Sequence, residues 1–87
     1  MSRSIQVLYF ASLREQLGID GESLQLPDSI TDIRSLREWM CQRGQSWAER
    51  FDHEQKLMAA VNQTMARPET MIADGDEVAF FPPVTGG

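Results

Sequence analysis

One stretch of this chain repeats with a helical period long enough to cover a sheet, and short two-residue alternations stand on both sides of it. In 87 residues that arrangement leaves few folds open. Ile33, Leu36 and Met40 recur three and four residues apart, while Arg34, Arg37 and Glu38 fall towards the outside. Thr31 is placed to cap this segment and Gly44 to stop it, so the spacing predicts a principal helix over about Asp32 to Arg43. Ahead of it, Ile5-Gln6-Val7-Leu8-Tyr9-Phe10 is β-branched and aromatic and reads as a strand. Ile5, Val7 and Tyr9 lie on one face, Leu8 and Phe10 on the other. Both faces are apolar, and one long helix covers only one of them.

The remaining segments fill in a small α+β domain. Ser12-Leu13-Arg14-Glu15 has the form of a capping box and Gly18 a helix end, which predicts a short helix over Ser12 to Leu17. After the Asp20-Gly21 turn, Glu22 to Leu26 alternates as a strand closed by Pro27. Trp47 and Phe51, four apart, suggest a helical turn with two anchors inside an otherwise mixed segment from Gln45 to Gln55. Leu57 to Asn62 reads as a buried strand, turning at Gln63-Thr64 into a short strand over Met65-Ala66-Arg67. Asp74-Gly75-Asp76 is a turn before the strand Glu77 to Phe81. This order describes an α+β roll of the β-grasp kind over residues 1–81, a mixed sheet crossed by one main helix. Residues 82–87 form an extended C-terminal tail, since Pro82 and Pro83 cannot continue a ladder and favour an extended course.

Charge and composition remove several function classes. Thirteen acidic against eight basic side chains give a net charge of −5, and Lys56 is the only lysine, which disfavours binding to a phosphate backbone. No apolar run is long enough for a membrane helix, and no signal-peptide pattern opens the chain, so a cytoplasmic home is expected. The single Cys41 forms no internal disulfide. It sits at the edge of the helical stripe, where Arg37 and Arg43 could activate it but a partly buried structural thiol is the simpler reading. His53, the only histidine, lies in a polar stretch, and one histidine with one cysteine makes no metal site. Asn62-Gln63-Thr64 matches a glycosylation sequon whose use requires secretion. No glycine-rich phosphate loop follows a strand, so no cofactor is expected on this chain. Any chemistry is supplied together with partners.

The tail is where such chemistry would act. Pro82 to Gly87 can reach on the order of 20 Å, enough to insert Gly87 into another protein's active site. Gly86 and Gly87 carry no Cβ, so they pass a channel too narrow for other residues. An α-carboxylate, with a pKa near 3.5, is an anion and a poor electrophile at neutral pH. Attachment of AMP would activate it, and a sulfur nucleophile could then leave a C-terminal thiocarboxylate. A frayed chain end is the competing reading of two terminal glycines.

Leu57-Met58-Ala59-Ala60-Val61-Asn62-Gln63-Thr64 and the block from Asp74 through Phe80-Phe81-Pro82-Pro83-Val84-Thr85-Gly86-Gly87 resemble the small subunits of molybdopterin synthases. The opening Val7-Leu8-Tyr9-Phe10-Ala11-Ser12-Leu13-Arg14-Glu15 is similar to them too. The resemblance implies a ubiquitin-like β-grasp sulfur carrier in molybdenum cofactor biosynthesis. A ubiquitin-activating-type adenylyltransferase would use ATP to adenylate Gly87, and a cysteine-desulfurase route would supply the sulfur. The thiocarboxylate would then convert cyclic pyranopterin monophosphate in the active site of the large synthase subunit. The implied assembly is a heterotetramer of two large and two small subunits, whose catalytic groups belong to the large subunit.

Two matters stay open at this level. Phe10, Met65 and Phe81 alternate away from the helix-facing residues and could form an exposed apolar patch beside the tail, with Pro82, Pro83, Val84 and Thr85 also touching a partner. The alternative is that they pack beneath the Trp47 and Phe51 segment as a satellite core. Functionally, a carrier for thiamine thiazole, a ubiquitin-like protein modifier and a plain β-grasp binding module share much of the same pattern.

Overall fold

Five strands carry the alternation through to the structure, a computed structural model that describes residues 3–83. They are β1 (Arg3–Tyr9), β2 (Gly21–Leu26), β3 (Met58–Val61), β4 (Thr64–Met65) and β5 (Glu77–Phe81). They form one mixed sheet in the order β2-β1-β5-β3-β4. β1 pairs antiparallel with β2 and parallel with β5, and β5 pairs antiparallel with β3. The last strand in sequence is thus the middle strand of the sheet, as a β-grasp domain requires.

Three helices, rather than one, bury one face of that sheet: α1 (Ala11–Leu17), α2 (Ile33–Cys41) and α3 (Gln45–Phe51). Leu13 of α1, Ile33, Leu36 and Met40 of α2, and Phe51 of α3 join a single core with Ile5, Val7, Tyr9, Val78 and Phe80. Phe51 is fully buried, with its ring edge-on to Phe80 at 5.2 Å and to Tyr9 at 6.3 Å. Edge-to-face pairs of this kind add about 0.5–1.5 kcal/mol each beyond the area they bury. The two anchors expected in the mixed segment therefore belong to a complete short helix.

Helix ends differ from the sequence expectation in instructive ways. Asp32, not Thr31, caps α2: its carboxylate accepts from the Ser35 N–H at 2.8 Å, and the Ser35 hydroxyl accepts from the Asp32 N–H at 3.1 Å. Serine thus takes the place that Glu or Gln fills in the usual capping box. The box expected at Ser12 and Glu15 does not form. α1 starts one residue earlier, after Phe10, with no side-chain cap and with Ala11 at φ 56°, a left-handed backbone angle that costs a residue with Cβ about 1 kcal/mol or more. Gly18 ends α1 as expected, at φ 77°, its N–H donating to the Arg14 carbonyl at 2.9 Å. Gly44 precedes α3 directly, and α2 has already ended at Cys41.

Arg37, expected to face outward, instead lies partly buried and ties α2 to the chain after α3. Its guanidinium donates to the carbonyls of Phe51 (2.8 Å), Asp52 and Gln55. The last turn folds as its residues suggest: Gly75 adopts φ 86°, and the Ser4 N–H donates to Asp74 at 2.7 Å, fixing the turn to the start of β1.

Candidate docking face and tail exit

Alternation along the strands leaves a second set of side chains on the sheet face that the helices do not cover. Leu8 pairs with Ala79, Ala79 with Ala60, and Ala60 with Met65, so these four form one row across the sheet. The next row is Phe10, Phe81 and Met58. Phe81 pairs with Met58, and Phe10 follows the Tyr9 and Phe80 pair, its N–H donating to the Phe80 carbonyl at 3.2 Å. On the other side of the first row the residues turn polar, with Gln6 opposite Glu77 and the Asn62 N–H donating to the Glu77 carbonyl at 2.7 Å. The apolar side chains therefore crowd one end of the open face, where β5 passes into Pro82.

Exposure separates this end from the core. Phe10 is 44% exposed, Met58 37% and Met65 57%. None of them, nor partly buried Phe81, belongs to the core or its packed fringe. The satellite-core alternative does not hold, because Trp47 and Phe51 lie on the opposite face. Trp47 stands 5.7 Å from Tyr9, and Phe51 rests against Phe80. Pro82 and Pro83 leave the sheet partly buried, outside any strand. Val84, Thr85, Gly86 and Gly87 lie outside the described residues.

Sequence reasoning missed Met58, Leu8 and Ala79 as neighbours of Phe81. The run Leu57 to Asn62 reads as buried throughout, yet β3 spans only Met58–Val61 and its first residue is exposed. Pairing across the sheet decides it: β3 runs antiparallel to β5, and that register puts Met58 beside Phe81. Asn62 and Gln63 take φ 50° and 69°, the left-handed pair of a tight two-residue hairpin, so the turn comes one residue before the expected Gln63-Thr64 and the following strand is Thr64–Met65, short of the expected Arg67.

At the far edge of the helix-covered face a polar clamp closes the core. Both guanidinium nitrogens of Arg43 bind the two carboxylate oxygens of Glu22, at 2.8 and 2.9 Å, while the Tyr9 hydroxyl donates to Glu22 Oε2 at 2.8 Å. Arg43 also stacks 4.1 Å over the Trp47 ring. The Arg43 hydrogen bonds, joined by that from Tyr9, hold the Glu22 carboxyl below its ordinary range. Burial above all, and then Glu22, push the Tyr9 phenol far up. At neutral pH the acid is ionised and the phenol protonated, so this is a structural clamp and not an acid and base pair.

The other polar candidates carry no catalytic arrangement. Burial first, then the negative charge of Asp52, push the Cys41 thiol up, which keeps it protonated and weakly nucleophilic. His53 is exposed, its Nδ1 3.1 Å from Asp52. Among the described residues no group of three or more His, Cys, Asp and Glu is placed to hold a metal. No described helix is long and apolar enough to cross a membrane.

The model of the ThiS family matches residues 7–87. The chain belongs to the ThiS family. It is 43% identical over 83 residues to the molybdopterin synthase sulfur carrier subunit of Haemophilus influenzae, covering 95% of this chain and 99% of that protein. Solved structures of lower identity share its fold. Small archaeal modifier protein 1 of Haloferax volcanii superposes at TM-score 0.76 with 21% identity, over 94% of this chain and 99% of its own. A chain in the complex of subunits 1 and 2 of molybdopterin-converting factor from Helicobacter pylori matches at TM-score 0.60 with 24% identity, over 97% of this chain and 99% of its own. The ubiquitin-like β-grasp reading of the sequence agrees with these neighbours, and the relatives with substantial identity are sulfur carrier subunits.

Proposed function

We propose that this chain is the sulfur carrier of a molybdopterin synthase, with the α-carboxylate of Gly87 as the group that is activated, loaded and emptied. The observation that carries this reading is the family match running through Gly87, with 43% identity to a sulfur carrier subunit. A partner adenylyltransferase of the ubiquitin-activating type joins the carboxylate to AMP from ATP, and pyrophosphate leaves. A persulfide from a cysteine-desulfurase route then attacks the acyl adenylate and displaces AMP, and a thiol reduces the S–S bond of the resulting acyl disulfide to leave the thiocarboxylate. Gly86 and Gly87 admit nucleotide and nucleophile because no Cβ shields the carbonyl. The whole sequence belongs in the cytoplasm, where ATP is at hand and a lone thiol such as Cys41 stays reduced.

The open face supports the second half of the cycle. Phe10, Met65 and Phe81, together with Met58, present an apolar surface that a large synthase subunit covers, while Pro82 to Thr85 run on into its active site. There the thiocarboxylate gives its sulfur to cyclic pyranopterin monophosphate. Two large and two small subunits make up the assembly. A protein of this fold has been solved in a complex of subunits 1 and 2 of a molybdopterin-converting factor, which supports a large-subunit partner.

Intact mass of the chain, after incubation with the adenylyltransferase, ATP and the sulfur donor, tests the reading. One oxygen is expected to be replaced by sulfur, and removal of Gly87 abolishes the change. A chain that never gains sulfur sinks the proposal. A loaded chain that leaves cyclic pyranopterin monophosphate unchanged in the presence of the large subunit moves it to another product, such as thiamine thiazole. Conjugates to lysines that survive denaturation identify a protein modifier instead.

A further inference from the structure

A second surface meets the two apolar rows only at Met58. Between α2, α3 and the edge formed by β3 and the segment after β4 runs a groove of about 930 Å³. Its floor is apolar, with Ile33, Leu57, Ala66 and Pro68 among the lining residues. Arg34, Arg37 and Arg67 line it as well. Against these three arginines the groove sets Glu38 and Asp52, and Asp52 is engaged by His53 and by the Glu54 N–H.

The charge here runs opposite to that of the molecule. The whole chain carries −5, yet this groove holds three of its eight basic residues. Among the described residues, none of the three arginines has a carboxylate partner. Arg37 is held in place by three backbone carbonyls, which fix the guanidinium without neutralising it. An oriented cation beside an apolar floor suits a ligand that brings carboxylates and apolar side chains together.

We propose that this groove binds an acidic, apolar peptide segment of a partner protein, its carboxylates meeting Arg34, Arg37 and Arg67 and its apolar side chains filling the floor. Met58 lines the groove and also stands beside Phe81 on the open face, so a partner seated on that face has a route by which one of its segments can reach the groove. The groove does not depend on the sulfur-carrier reading, since Gly87 takes no part in it and Met58 is the one residue of the open-face rows that lines it.

Selection of displayed random peptides on the immobilised full chain tests this. Enriched peptides are expected to combine Asp or Glu with Leu, Ile, Val or Phe, and to perturb backbone amide resonances of Ile33 to Gln42, Leu57 to Ala59 and Ala66 to Arg67. The double variant Arg34→Glu, Arg67→Glu changes two exposed side chains and keeps the fold, checked by its amide spectrum, while binding falls about tenfold or more. Enrichment of basic or uncharged peptides, no enrichment, equal binding by the variant, or perturbation of Phe10 and Phe81 instead would overturn the proposal. So would groove-dependent dimers of the free chain in sedimentation, which would assign the site to a second copy.

Discussion

The two faces of the central sheet are made by the same strands, and both are apolar, yet they have opposite fates. Val7, Tyr9, Val78 and Phe80 are closed over by Leu13, Leu36, Met40 and Phe51 of the three helices. One residue along, Leu8, Ala79, Phe81 and Met58 lie outside that core. Hydrophobicity therefore does not distinguish core from contact surface here. What distinguishes them is whether the chain has enough helix to cover a side, and its helices all lie on one.

The strongest way to break this comparison is to exchange the two neighbouring phenylalanines as targets. Phe80→Ala removes a 1%-exposed ring from the core and is expected to cost about 3–5 kcal/mol, a large share of a small domain's stability. Denaturant unfolding measures it. Phe81→Glu should leave the unfolding midpoint within about 1 kcal/mol of the parent while weakening binding to the large synthase subunit about 30-fold or more, read by calorimetry. If Phe81→Glu unfolds the domain, the open face is core after all.

Smaller effects sharpen the boundary of the covered face. Glu22→Gln disrupts the clamp on Arg43 and Tyr9 and is expected to cost about 1–2 kcal/mol at neutral pH. It should also change the acid limb. The folded-state pKa of Glu22 is lowered by its Arg43 hydrogen bonds, so its contribution is complete above the ordinary carboxylate range and is lost as pH falls through the folded value. The variant should therefore lose less stability than the parent on acidification below about pH 4. Asp32→Ala, which removes the α2 cap, comes last at about 1 kcal/mol, with no effect on partner binding.

Much of this was legible in the residues because local pattern decides it. The spacing of Ile33, Leu36 and Met40 and the run Glu77 to Phe81 into two prolines needed no tertiary information. The places that misled were decided across distance. Arg37 looks like a surface residue until the backbone after α3 arrives with three carbonyls. Ser12 and Glu15 match a cap, but the chain enters α1 through Ala11 in a left-handed conformation, and that entry is set by β1 lying beside β5. Met58 was hidden for the same reason, since only pairing to β5 reveals which way a residue in Leu57 to Val61 points. The candidate tail is proposed from residue type alone, whereas the docking rows needed register.

The central position of β5 has a mechanical consequence. A partner that grips the tail and draws it inward pulls along a strand hydrogen-bonded to β1 on one side and β3 on the other. Load along the strand axis is shared by both ladders at once, because their bonds lie across the direction of pull and are sheared together rather than unzipped singly. The exit at Pro82 is in this sense a fixed anchor bolt. Tension at the end of the chain moves the whole domain before it peels a strand away.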